Sequence, residues 1–209
     1  MTYKLSYRDL AERMAERHVD LAHTTIMRWV QRYVPEFEKR WRPYVGSVGM
    51  SWRIDETYIK VKGSWGYLYR GVDKDGQTID FFLSERRDIA AAKRFLQQAI
   101  EKYGVPQKIT LDGYAASHEA VAELQEEEAL PPDLLVRTSR YLNNLSEQDH
   151  RRVKQRVKPM LGFKRFDYAV ITISGIELVH QIKKGQFDVS AIGAPQTRTL
   201  QTWETVLAA

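Results

Sequence analysis

The 209-residue sequence contains no cysteine. That single absence excludes a disulfide framework, a thiolate zinc site, an iron–sulfur cluster and a cysteine nucleophile. Histidine is scarce. The five residues His18, His23, His118, His150 and His180 never fall in a His-x-x-x-His pair, so a zinc hydrolase of that type is not expected and any metal must use oxygen or histidine ligands. No apolar run approaches the roughly 18 residues needed to span a bilayer. The first residues, MTYKLSYRDLAERM, lack an apolar core and a small-residue cleavage site, so a cytoplasmic protein without membrane attachment is expected. What is present is a mildly basic globular composition, with 32 Lys+Arg against 27 Asp+Glu and 43% hydrophobic residues. The length accommodates one large domain, or a small one joined to a larger.

The charge is segregated. Residues 140–165 carry eight Lys and Arg against Glu147 and Asp149, whereas residues 112–133 carry seven acids and no Lys or Arg. A basic block of this size is by itself a solvated face as readily as a polyanion-binding one, so its meaning depends on the motifs around it.

Hydrophobic periodicity orders the elements. Ser6 and Asp9 have the spacing of a helix start, and the pattern predicts a helix over about 7–17. A second is expected over about 23–33, with Ile26, Trp29, Val30 and Tyr33 facing inward and Pro35 beyond its end. Two helices so joined are either a helix-turn-helix or an ordinary helical hairpin. In the first case Thr24, Thr25, Arg28, Gln31 and Arg32 face outward toward DNA. Residues 36–50, with Pro43, Gly46 and Gly49, read as a linker. Three strands follow at Trp52 to Val61, Trp65 to Val72 and Thr78 to Leu83, as an antiparallel meander. Asp88 then caps a helix that ends at Gly104. A strand at Lys108 to Asp112, a helix over about 117–128, a strand near Leu134 to Thr138 and helices over about 146–158 and 168–184 complete the order. The expectation is a small helical segment followed by an α/β domain with a mixed sheet, and a tail from 188 to 209 that is irregular or docked through Trp203.

Three acids stand out. Asp55 interrupts the first strand, where aspartate is disfavoured. Asp112 ends the strand before Gly113, and Glu147 opens a helix. Singly, each has an ordinary explanation: a solvent-facing strand position, a turn residue, a helix-dipole preference. Together they show a spacing in which 34 residues separate Asp112 from Glu147. This resembles a D,D(34)E triad, and the chain is similar to insertion-sequence transposases of the family named after IS6. The resemblance covers nearly the whole chain. It is carried by Asp55-Glu56-Thr57-Tyr58-Ile59-Lys60-Val61, by Tyr67-Leu68-Tyr69-Arg70, by Tyr141-Leu142-Asn143-Asn144 with Glu147-Gln148-Asp149-His150-Arg151, by Leu161-Gly162-Phe163-Lys164, and by Gly175-Ile176-Glu177 with Lys184-Gly185-Gln186.

The resemblance implies a ribonuclease H-like catalytic domain over 51–187, with a five-stranded mixed sheet, preceded by a DNA-binding segment over 1–35. It implies that Asp55, Asp112 and Glu147 hold two Mg²⁺ ions, with Mn²⁺ able to substitute, Asp55 bridging them. Carboxylates suit this task because Mg²⁺ prefers oxygen ligands and keeps several waters. Lys154 is seven residues after Glu147 and, at about 100° per residue, falls within some 20° of the same helix face. His150 and Arg151 lie between them, suited to phosphates. The implied partners are terminal inverted repeats and target DNA, bound by a homodimer or higher assembly. Relatives carry an extra N-terminal helix, Asp112-Gly113 stands where Asp-Lys is common, and Ser146 stands where a bulky aliphatic is usual. Two rival readings therefore accompany the transposase: an inactive DNA-binding remnant that represses transposition, and a nuclease sharing the fold.

Overall fold

The computed structural model describes residues 4–139 and 144–190, with the side chains of 144–150 excepted. The chain separates into two compact units, one of Met1–Gly46, Lys60–Gly63 and Arg152–Ala209, the other of Ser47–Ile59 and Ser64–Arg151.

The second unit contains most of a five-stranded sheet. Its strands are β1 (Ser51–Val61), β2 (Ser64–Asp73), β3 (Thr78–Ser84), β4 (Lys108–Leu111) and β5 (Leu135–Thr138), in the order β3-β2-β1-β4-β5. Lys62 and Gly63, both at positive φ, form the two-residue turn between β1 and β2, as a tight hairpin requires. β2 and β3 pair antiparallel, whereas β4 pairs parallel with β1 and β5 parallel with β4. This is the mixed sheet expected of a ribonuclease H-like domain. Two of its helices are α3 (Ile89–Tyr103), capped by the Asp88 side chain, and α4 (Ala115–Glu126). They cover one face of the sheet, where Phe95, Leu96, Ala120, Val121 and Leu124 pack with Ile54, Tyr69, Ile109 and Leu111 in one buried cluster. Such a face needs apolar residues at alternate strand positions, which Ile54, Ile109 and Leu111 supply. α5 (Asn144–Val157) follows β5.

The first unit is built on helices α1 (Tyr7–Ala15), α2 (His23–Trp41) and α6 (Phe166–Lys184). Ser6 and Asp9 form the expected reciprocal cap of α1. α2 corrects the sequence reading: it runs eight residues past Tyr33 to Trp41 with Pro35 inside it, so 36–41 is helix and not linker. An internal proline costs about 3 kcal/mol. Burial on either side of it offsets this, because Val34 just before and Trp41 beyond are buried and a large apolar side chain contributes about 1.5–3 kcal/mol on burial. Trp41 packs with Leu178, Ile182, Phe187 and Val189, its ring 4.7 Å from that of Phe187.

The same packing corrects the face assignment. Ile26, Val34 and Trp41 face the interior, whereas Trp29 and Tyr33 are 44% and 42% exposed. Trp29 lies about 100° round the helix from the centre of the buried stripe. Gln31, expected outside, instead donates to Tyr168 O and Thr172 Oγ1 of α6, both at 3.4 Å. Gly175 makes the close approach of α2 and α6 possible, since a Cβ there would sit 2.8 Å from Val34 Cγ2. In the same unit Phe163 donates to Lys60 O and accepts from Lys62 N–H, which gives the 161–164 motif its structural role. Residues 140–143 and the tail beyond Ser190, with Trp203, lie outside the described residues.

The tight α2–α6 contact makes a prediction. Gly175→Ala gains up to about 1 kcal/mol in helix propensity, but overpacking against the stiff Val34 is expected to lose about 1–3 kcal/mol. Thermal unfolding should therefore show a lower Tm than the parent, and adding Val34→Ala should recover part of the loss.

Candidate active site

Asp55 and Asp112 are brought together by strand register. β1 and β4 pair as Ser51↔Lys108, Trp52↔Ile109 and Arg53↔Thr110. Carried two residues further, the same offset sets Asp55 opposite Asp112, on strands about 4.8 Å apart. Their neighbours Ile54 and Leu111 enter the buried cluster on the α3 and α4 face, so the alternation of a strand sends both acids to the other face. Both are half-buried. The Glu56 N–H donates to Asp55 Oδ1 at 2.8 Å, and the Tyr114 N–H donates to Asp112 Oδ1 at 3.0 Å. His118 Nε2 is 3.0 Å from Asp112 O and 3.4 Å from Thr138 Oγ1 of β5.

Behind this pair stands a network that the sequence reading missed. Glu56, on the opposite face from Asp55, has a side chain only 4% exposed, and Arg87 Nε lies 2.6 Å from its Oε2. Ser117 Oγ, in the first turn of α4, donates to Glu56 Oε1 at 3.0 Å. The Arg87 guanidinium stacks 3.6 Å from the centre of the Tyr114 ring, and Tyr114 OH donates to Arg87 O at 2.9 Å. Tyr114 is the residue whose N–H holds Asp112. The loop that carries Asp112 is thus tied to β1 through Arg87 and Ser117. Burial pushes the Glu56 carboxyl above its ordinary range, Arg87 and Ser117 oppose this, and the nearby Asp112 charge adds to it.

The other expected residues are carried by α5 and α2. α5 carries Glu147, His150, Arg151 and Lys154. The side chains of Glu147, His150 and Ser146 fall outside the described residues, while Arg151 and Lys154 are exposed. On α2, Thr24, Arg28 and Arg32 are exposed and Thr25 is half-buried. Trp29 joins their exposed strip; a large aromatic at helical spacing reads as core, so its exposure was not expected from the sequence.

The carboxylate pair supplies hard oxygen donors of the kind Mg²⁺ takes. Among the described residues no group of three His, Asp or Glu is placed to hold a metal, so a site on Asp55 and Asp112 requires a further ligand from outside them.

A family profile described as a DDE domain, of the IS240 type of transposase, matches residues 49–186. The chain belongs to this family. The transposase of the insertion sequence-like element IS431mec from Staphylococcus aureus is 41% identical over 184 residues, covering 88% of this chain and 80% of that protein. The transposase of insertion sequence element IS257 in transposon Tn4003, also from Staphylococcus aureus, is 40% identical over the same shares. Among solved structures, the catalytic core domain of BIV integrase aligns at 15% identity over 62% of this chain and 83% of that one, with a TM-score of 0.47. The chain is thus a DDE transposase of the insertion-sequence class, and its catalytic chemistry is polynucleotidyl transfer with divalent metal. The extent of the similarity does not favour the repressor remnant. Among the described residues no helix is long and apolar enough to cross a membrane.

The Glu56–Arg87 pair sets a pH-dependent prediction for this transposase. A carboxyl whose folded-state pKa is raised stabilises the fold most below its unfolded pKa, and that contribution is lost as pH rises through the folded value. Arg87→Gln removes the opposing cation, so its destabilisation, about 1–3 kcal/mol, is expected to be larger at pH 8 than at pH 5. Adding Glu56→Gln should flatten the difference, as read by thermal unfolding across pH.

Proposed function

We propose that this transposase binds the inverted terminal repeats of its element, cleaves the 3′ ends and joins them to target DNA, with Asp55, Asp112 and Glu147 as its catalytic acids. The observation that carries this is the parallel pairing of β1 with β4, whose offset runs on toward Asp55 and Asp112, in a chain matched to a DDE domain from residue 49 to 186. Two Mg²⁺ ions, replaceable by Mn²⁺, would supply Lewis-acid stabilisation of the attacking and leaving oxygens. The chain's own residues do the rest. Asp55 would contribute to holding both ions, and Asp112 and Glu147 one each. Hydrolysis of the terminal phosphodiester frees a 3′-hydroxyl, which then attacks a target phosphodiester in the same site and releases the target's 3′-oxygen.

His150, Arg151 and Lys154 follow Glu147 on α5 and serve as phosphate contacts near the scissile bond. Residues 1–35 form the terminal-repeat-binding segment. Thr24, Thr25, Arg28 and Arg32 are its contacts on α2, and Trp29, exposed in the same strip, adds apolar contact to sugars or bases. The segment 51–187 is the catalytic domain and 188–209 a tail. Because two element ends must be joined in concert, a homodimer or larger assembly on DNA is the working form.

The test is a strand-transfer assay with labelled terminal DNA and Mg²⁺ or Mn²⁺. Asp55→Ala, Asp112→Ala and Glu147→Gln should each lose joining by more than the roughly 10–100-fold that removing a ligand's supporting partner costs. DNA binding measured by mobility shift should persist in all three. Undiminished joining by Glu147→Gln would falsify the triad.

A further inference from the structure

Leu161 is 87% exposed, more than any other large apolar side chain among the described residues. A lone exposed leucine is ordinary in itself. This one stands on a backbone that is strained and held so. Leu161 lies at φ 56° and ψ 24°, in the left-handed region that disfavours a bulky side chain and suits glycine. Its N–H donates to Lys158 O at 3.1 Å, closing the 3-10 turn Lys158–Met160. Gly162 follows at φ 92°, so near to β1 that a Cβ on it would sit 3.0 Å from Lys60 O. The Phe163 N–H then donates to Lys60 O at 2.9 Å, and Phe163 O accepts from the Lys62 N–H at 2.7 Å. A clamped loop thus holds an apolar side chain out in solvent, with no burial to offset the strain.

The charge around it defines what can cover it. Val61 and Phe163 are partners in a parallel bridge, and Val61 is buried, so alternation sends Lys60, Lys62 and Lys164 to the outer side. Lys158 joins them from the other end of the turn that Leu161 closes. All four lysines are exposed. Arg165, next along the chain, is already paired with Asp167 at 2.6 Å. Residues 151–166 carry seven Lys and Arg and no acid. Lysine is depleted from the core of protein-binding patches, which argues against a protein partner. Lysines that follow phosphates around an apolar wedge of leucine, methionine or proline are the means by which proteins open a base step and bend a duplex, and Pro159 and Met160 adjoin Leu161 in the same loop.

We propose that Leu161 is a wedge that enters double-stranded DNA at a base step, with Lys60, Lys62, Lys158 and Lys164 on the flanking phosphates, so that this transposase bends duplex DNA independently of its sequence. The inference adds a contact to the DNA-joining reading above and rests on it.

The full chain in EDTA, which prevents turnover, is tested on a short random-sequence duplex without terminal repeats. Affinity is read by fluorescence anisotropy across salt concentrations, and bending by energy transfer between dyes at the two ends. The parent should bend the duplex, and bind it more tightly when a central mismatch lowers the cost of unstacking. Leu161→Gly should abolish the bend and that preference and weaken binding by about 10- to 150-fold, the worth of one buried apolar side chain. It should keep or raise the parent's Tm, because glycine relieves the left-handed strain. Lys62→Gln with Lys164→Gln should lower the slope of log affinity against log salt by about 1 per lysine. Parent-like bending and binding by Leu161→Gly, or a lowered Tm that makes Leu161 a packing residue, overturns the wedge and leaves the transposase reading intact. An unchanged salt slope in the lysine pair does the same. A parent that binds no duplex overturns both.

Discussion

Two carboxylates on neighbouring strands repel each other, and the register of β1 against β4 holds Asp55 and Asp112 level nonetheless. Placing two like charges level on adjacent strands carries a cost to the fold. It is borne by the opposite face of the same strands, where Ile54, Ile109 and Leu111 are 4% exposed or less. A slip of one residue in β4 would turn those apolar side chains to the wrong face. The register is therefore fixed by the core, and the acids are carried to their places by residues that take no part in chemistry. In the proposed function a divalent cation would turn the same repulsion into a coordination site.

Alternation along β1 divides labour between adjacent residues. Asp55 belongs to the face of the proposed catalytic acids, and Glu56 to the face packed by α3 and α4. Glu56 is a buried carboxylate close to another acid, which would burden the site if it stood alone. Arg87 compensates its charge at 2.6 Å, and the same arginine stacks on Tyr114, whose backbone N–H fixes Asp112. The compensation is thus also a mechanical link, because the cation that neutralises Glu56 ties the end of β4 to the middle of β1. The hydroxyl of Ser117 completes it from α4.

What could be read from the sequence and what could not separate along the same physical line. The strands, α3 with its Asp88 cap, and the Ser6–Asp9 capping box depend on contacts within a few residues, and periodicity reports them within two residues or so at most ends. Asp55 and Asp112 were visible because an acid in or at the end of an otherwise apolar strand is locally anomalous. Glu56 was not, because its partners lie 31 and 61 residues away in sequence, and beside Asp55 it passes for a second polar residue on an exposed strand. The end of α2 failed for the opposite reason. Pro35 is a strong local stop signal, and only the distant Leu178, Ile182 and Phe187, packed on Trp41, show why the helix ignores it.

That continuation of α2 bears on how the N-terminal helices can work. A freely hinged reading head would end at Pro35, and its exposed strip of Thr24, Arg28, Trp29 and Arg32 would be oriented only by contacts within a two-helix hairpin. α1 buries no residue fully, so such a hairpin has little core of its own. Instead α2 is fixed along its length to α6 by Gln31, by Val34 seated over Gly175, and by Trp41 in its apolar cluster. Tyr7 adds a link from α1, its hydroxyl 3.2 Å from Thr172 Oγ1. The orientation of the exposed strip is therefore set by a helix that lies more than 120 residues further along the chain. The helices proposed to meet DNA and the C-terminal helix of the DDE domain must fold as one body, and a fragment cut after residue 35 would lose both its core and its aim.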